Sequence, residues 1–203
     1  MTEILSRETR ILQAILVLLA SAIPLTVKPQ SLQDRISRDI AVLYGGDDKN
    51  QADAVSDLVK IGKSSIPSLL EVLNNDRRRD FERAYRPAAA ALGELKAAEA
   101  APRLCWLLGT GDSAMIMMEG KTDESLAALD PAFGPIVKIG DPALAELKKE
   151  LSVGSWNKRY LILRALHSIG TPDSLSLGNA YIGTLESELR ITGKLFTNGS
   201  SAP

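Results

Sequence analysis

The 203-residue chain reads as an all-α protein: an α-solenoid of about four helical hairpins behind an N-terminal capping helix. Two observations predict this. Aromatic residues make up only 4% while alanine and leucine abound, which suits helix packed on helix and not a β-sandwich. The second is a recurring segment. VKIG stands at 59–62 and again at 137–140, within LVKIGKSSIPSLLEVL and IVKIGDPALAELKKEL; ALHSIGTPDSLSL and, more loosely, AALGELKAAEAAPRLCWLL align with them.

Each copy follows one physical pattern. An apolar run ends in glycine, which takes the left-handed conformation that closes a helix. Proline then opens a second helix, where its missing N–H costs nothing. The pivotal glycines are Gly62, Gly93, Gly140 and Gly170, at spacings of 31, 47 and 30 residues, so a period near 30 carries one insertion. Asp141 before Pro142 and Thr171 before Pro172 read as helix caps. Ile66, Leu69, Leu70 and Leu73 form one apolar helical face, and Leu144, Leu147 and Leu151 repeat it.

The elements follow in order. Residues 31–44 predict the capping helix, stopped by Gly45-Gly46. Helices are expected at about 50–61 and 66–74, then from Asp80 with a bend at Pro87, then at about 99–108. The insertion 109–124 reads as a loop with Met115-Ile116-Met117-Met118 at its centre, packing over neighbouring repeats. Helices resume at about 125–139, 142–152, 157–169 and 172–191, and 196–203 reads as a frayed tail. Asn198-Gly199-Ser200 matches a glycosylation acceptor, a tripeptide common by chance.

The quoted segments resemble the HEAT-like repeats, in the short form also found in phycobilin lyase subunits, over about residues 36–177. The resemblance implies a solenoid whose second helices line a concave binding surface. It implies a non-catalytic scaffold that binds a protein or peptide; the alternative is a regulatory or lyase-like subunit of an enzyme complex.

Residues 11–27, ILQAILVLLASAIPLTV, carry no charge, follow Arg7 and Arg10, and contain Ala20-Ser21-Ala22. Residues 1–30 therefore read as a signal peptide with cleavage after Ala22, ahead of a repeat domain at 31–195. This predicts an exported protein, periplasmic or secreted. An uncleaved membrane anchor and a helix folded into a cytoplasmic domain are the competing readings.

Other chemistry is poorly supplied. Gly62-Lys63-Ser64 and Gly120-Lys121-Thr122 end like phosphate-binding loops, but Asp57 and Met115 occupy the position that such a loop gives to its first glycine. Nucleotide binding is rejected. One cysteine (Cys105) and one histidine (His167), both in apolar helical runs, exclude an intrachain disulfide and a Cys/His metal cluster. No paired carboxylates sit in an apolar context, so no enzyme, cofactor or metal is expected. A net charge of −1 gives no general case for nucleic acid.

The candidate partner-binding residues are Trp106, Arg79, Arg83 and Arg86. The three arginines share one helical face, which would grip an acidic peptide, a phosphate or nucleic acid unless solvated pairing with Asp76, Asp80 and Glu82 occupies them. Trp106 lies about 200° around its helix from Leu104, off the core stripe. It either packs on the adjoining repeat or stands on the exposed face. Trp156, ahead of Asn157 as N-cap, reads as a structural staple onto Leu161.

Overall fold

A computed structural model describes residues 31–75, 81–110 and 122–198, with side chains through 187. The chain divides into units Met1–Asp34 and Arg35–Pro203. Of the first, only Ser31–Asp34 is described: the Ser31 hydroxyl accepts the Asp34 amide at 3.1 Å, and the Asp34 carboxylate accepts the Ser31 amide at 3.2 Å. That reciprocal pair is a helix-starting box. The signal-peptide segment, Arg79 and the Met115–Met118 run lie outside the described residues.

The described residues are helical, without strands. The helices are α1 (Leu32–Gly45), α2 (Asp48–Ile61), α3 (Ile66–Asn74), α4 (Phe81–Glu94), α5 (Ala101–Leu107), α6 (Asp123–Leu129), α7 (Phe133–Ile139), α8 (Leu144–Val153), α9 (Trp156–Ile169) and α10 (Pro172–Asn198). Helix α2 packs on α4, α4 on α7, and α7 on α9. On the other side α5 packs on α8, and α8 on α10. One continuous core runs from Ile36 to Leu166, with Phe133, Leu69, Leu92, Leu104 and Ile136 fully enclosed. The predicted faces lie inward: Ile66, Leu69, Leu73, Leu147 and Leu151 are buried, and Leu70 and Leu144 half-buried.

The two VKIG glycines are conformational copies. Gly62 has φ 78° and ψ −144°; Gly140 has φ 74° and ψ −140°. This is not the expected left-handed helical region but one still more restricted to glycine. Gly170, at φ 70° and ψ 9°, is left-handed as anticipated. A Cβ on Gly62 or Gly140 would meet nothing within 4 Å, so any penalty there is purely backbone strain. Gly62→Ala and Gly140→Ala are each expected to cost about 1–3 kcal/mol. Urea denaturation checks this, and an unchanged midpoint would mean the turn tolerates a side chain. The hydroxyl of Ser65, which follows Gly62-Lys63-Ser64, donates to the Leu58 and Gly62 carbonyls at 2.9 and 2.8 Å. The tripeptide is helix punctuation.

Gly93 departs from the pattern. It lies inside α4, and the residue with positive φ is Lys96 (49°). The Ala97 amide donates to the Leu92 carbonyl and the Lys96 amide to the Gly93 carbonyl, both at 3.0 Å, which is a Schellman close three residues after the glycine. Gly93 is instead a contact point: a Cβ there would fall 2.7 Å from Pro135 Cα on α7.

Other boundaries also shift for identifiable reasons. The helix predicted over 125–139 is two, α6 and α7, broken at Asp130-Pro131-Ala132. Proline disfavours helical backbone before it, and Asp130 is extended at φ −122°, ψ 109°. Thr171 caps α10 by accepting the Ser174 amide at 3.2 Å. Asp141 makes no such cap; its carboxylate accepts the hydroxyl of Thr171, its counterpart in the next copy. Helix α10 continues to Asn198 through the start of the predicted tail.

Pro87 lies within α4 and lacks the N–H that would reach the Arg83 carbonyl. Gln51 Nε2 approaches that carbonyl at 3.5 Å while donating to Leu43 O at 2.7 Å.

Candidate partner-binding face

Helix α5 is short, and its inward positions Ala101, Leu104, Cys105 and Leu107 are buried. Trp106 is left outward with 51% of its surface exposed, so it does not fill a gap between helices. The Arg103 guanidinium carbon lies 4.2 Å from the Trp106 ring centroid, and Arg103 Nε donates to Leu73 O at 2.9 Å. The i, i+3 spacing on one helix brings cation and ring together. Arg103 thereby joins the end of α3 to the Trp106 ring and holds that ring in place.

Trp156 is not the expected staple. Ser155 is the N-cap, its hydroxyl accepting the Lys158 amide at 3.4 Å, and Trp156 occupies the first helical position with 67% exposure. Serine before the tryptophan supplies the cap expected of Asn157, which turns the indole outward. Val153, at the end of α8, is 73% exposed. Lys158 gathers these segments: its Nζ donates to the Trp106 carbonyl at 3.0 Å and pairs with Glu150 at 2.8 Å. Gly109 abuts the Lys158 backbone so closely that a Cβ there would lie 3.1 Å from Lys158 Cα. Lys158 thus ties the end of α5 to α8 and α9, and each of these three helices carries one large exposed apolar side chain: Trp106, Val153 and Trp156. Tryptophan stacked with arginine, as at Trp106 and Arg103, matches the composition of binding hot spots.

Two of the other sequence candidates hold the fold's own carbonyls. Arg83 donates to Gly46 O at 3.0 Å, just past the end of α1, and Arg86 donates to Ala128 O at 3.0 Å, at the end of α6. Both sites are helix C-termini, where a cation meets unsatisfied carbonyls and the negative end of the helix dipole. Neither shows an ion pair with Glu82 among the described residues.

Sequence reasoning missed Asp130. It is 1% exposed, with Oδ2 accepting the Gly109 amide at 2.7 Å and Oδ1 the Ala132 amide at 2.9 Å. Burial pushes its pKa above the usual carboxylate value, while amide bonds from Gly109, Ala132 and Phe133 and the Arg86 charge act the other way. It therefore joins Gly109, at the start of the 109–124 insertion, to the turn between α6 and α7. An Asp-Pro pair between helical runs was the available signal.

Burial pushes the Cys105 thiol up to about 12, which makes it a poor nucleophile. His167 is exposed. No group of three His, Cys, Asp or Glu residues among those described is placed to hold a metal ion, and no described helix is long and apolar enough to cross a membrane. No protein-family model matches the chain, and no curated protein matches it.

Proposed function

We propose that the protein is an α-solenoid of HEAT-like helical pairs acting as a non-catalytic scaffold for a protein or peptide. The helical pairs are α2/α3, α4/α5, α7/α8 and α9/α10, with α1 as the cap. Support for the repeat reading comes from the successive packing of α2, α4, α7 and α9 and from the matched backbone of Gly62 and Gly140. The observation that carries the function is Trp106, half exposed and stacked under Arg103. A solvated indole contributes little to folding, whereas a pre-positioned one is a strong anchor for a partner.

Trp106→Ala should change folding stability by under about 1 kcal/mol, because little packing is removed. The same change should weaken partner binding by about 2 kcal/mol or more. The measurement is calorimetric titration of the partner that co-purifies from the native source, beside a thermal melt of each variant. Full affinity in a normally folded variant would dismiss this face.

Export rests on residues 11–27 alone. Residues 1–30 fused to a reporter active only outside the cytoplasm should yield signal, and a silent, expressed fusion would return the protein to the cytoplasm.

A further inference from the structure

One carboxylate sits where the pattern of α1 calls for an apolar side chain. Ile36, Asp39 and Leu43 are the buried residues of that helix, and Ile36 and Leu43 belong to the core. The Asp39 side chain is only 6% exposed. Its Oδ1 accepts the Arg38 Nε and a terminal guanidinium nitrogen, both at 3.1 Å. Its Oδ2 is buried with no hydrogen-bond partner among the described residues. A buried acceptor left open is rare, and costly on a charged group.

Asp39 also lines a cavity of about 530 Å³ between α1 and α2, a volume that suits a small ligand. Ala41, Val42 and Ala54 give it apolar wall, and Asp53 and Asp57 line it from α2. Asp57 is paired with Lys60 at 3.0 Å, whereas Asp53 has no ion pair among the described residues. The junction of the two helices is held in place: Gln51 donates to Leu43 O at 2.7 Å, and Arg83 to Gly46 O at 3.0 Å. No lining residue belongs to the Trp106 face.

We infer that this cavity takes a primary ammonium group on a short aliphatic stem, carried by a free amine or by the lysine side chain of a partner. The ammonium donates to Asp39 Oδ2, Asp53 adds a second carboxylate, and the stem lies along Ala41, Val42 and Ala54. Arg38 keeps Oδ1, so Asp39 holds one cation on each oxygen. Oδ2 is shielded from solvent, so the head group reaches it on a small turn of the Asp39 side chain, a change common on binding. An ammonium answers both the open acceptor and its charge, where a hydroxyl answers only the first. No three of the described His, Cys, Asp and Glu residues are placed to hold a metal ion, which makes a divalent cation the poorer occupant.

The test titrates the full chain with pentylammonium, pentanol, pentanoate and Nα-acetyl-lysine methylamide, read by the backbone amide resonances of Val42, Gly45 and Ala54. Pentylammonium should bind at least about tenfold tighter than pentanol, and pentanoate should not bind. Asp39→Asn should erase the preference for the ammonium over the alcohol, with a thermal melt to confirm folding. Asp53→Asn alters an exposed side chain, so it tests the site even if Asp39→Asn does not fold; it should weaken pentylammonium several-fold. Capped lysine binding as tightly as pentylammonium would identify a partner's lysine as the occupant, and its exclusion a free amine. Equal binding of pentylammonium and pentanol would overturn the inference, as would tighter binding of pentanoate. Unchanged pentylammonium affinity in Asp53→Asn and in folded Asp39→Asn would overturn it too, and so would the lack of any shift at tens of millimolar probe.

Discussion

Asp130→Ala should cost about 3–5 kcal/mol, the largest loss expected from a single substitution outside the apolar core. The side chain is enclosed and accepts the amides of Gly109 at 2.7 Å and Ala132 at 2.9 Å, which joins the start of the 109–124 insertion to the α6–α7 turn. Removing it strands buried donors, each costing about 1–3 kcal/mol, and leaves a void. Asp130→Asn should recover only part of the loss, because its NH2 group faces an amide donor where the carboxylate had an acceptor. The pH dependence has a definite sign. Burial raises the folded pKa of Asp130, so the unfolded chain releases this proton first as pH rises from about 3.8. Stability contributed by this group therefore falls as pH climbs to the folded pKa, and Asp130→Asn should lack that decline. Urea titrations of both variants between pH 3 and 7 measure it. A loss below about 1 kcal/mol in Asp130→Ala would show that solvent replaces the carboxylate and that its bond to Gly109 adds little.

Gly93→Ala should destabilise by about 2–3 kcal/mol, in the overpacking range. In an isolated helix the same change stabilises by about 1 kcal/mol, because alanine has the better propensity. The opposite sign is expected because the new Cβ would lie 2.7 Å from Pro135 Cα and 3.0 Å from Pro135 Cβ. The nearest atom is backbone, so relief requires α4 and α7 to separate along a buried contact. A thermal melt with matched denaturant curves decides the sign. A stabilised variant would mean that α4 and α7 sit further apart than this contact implies.

Gly93 also shows where sequence reasoning and structure part. It aligns with Gly62, Gly140 and Gly170 and reads as the same helix stop, yet it is needed for closeness and not for backbone conformation. A one-dimensional pattern cannot separate those two uses of glycine, because both ask only for a missing side chain. The arginines pose a similar ambiguity. Their shared helical face is visible in sequence, but the carbonyls of Gly46 and Ala128 that receive Arg83 and Arg86 lie 37 and 42 residues away.

By itself the sequence determined the helical class, the inward faces, most helix positions and the glycine punctuation at Gly62, Gly140 and Gly170. These depend on local rules: the 3.6-residue period, the φ range open to glycine, and the missing N–H of proline. Tertiary structure alone decided that Trp106 stands outward under Arg103 and that Trp156 is exposed at the start of α9. It also decided that Asp130 lies buried and accepts the Gly109 amide. Exposure and long-range hydrogen bonding depend on which helices meet, and that follows from packing the whole core.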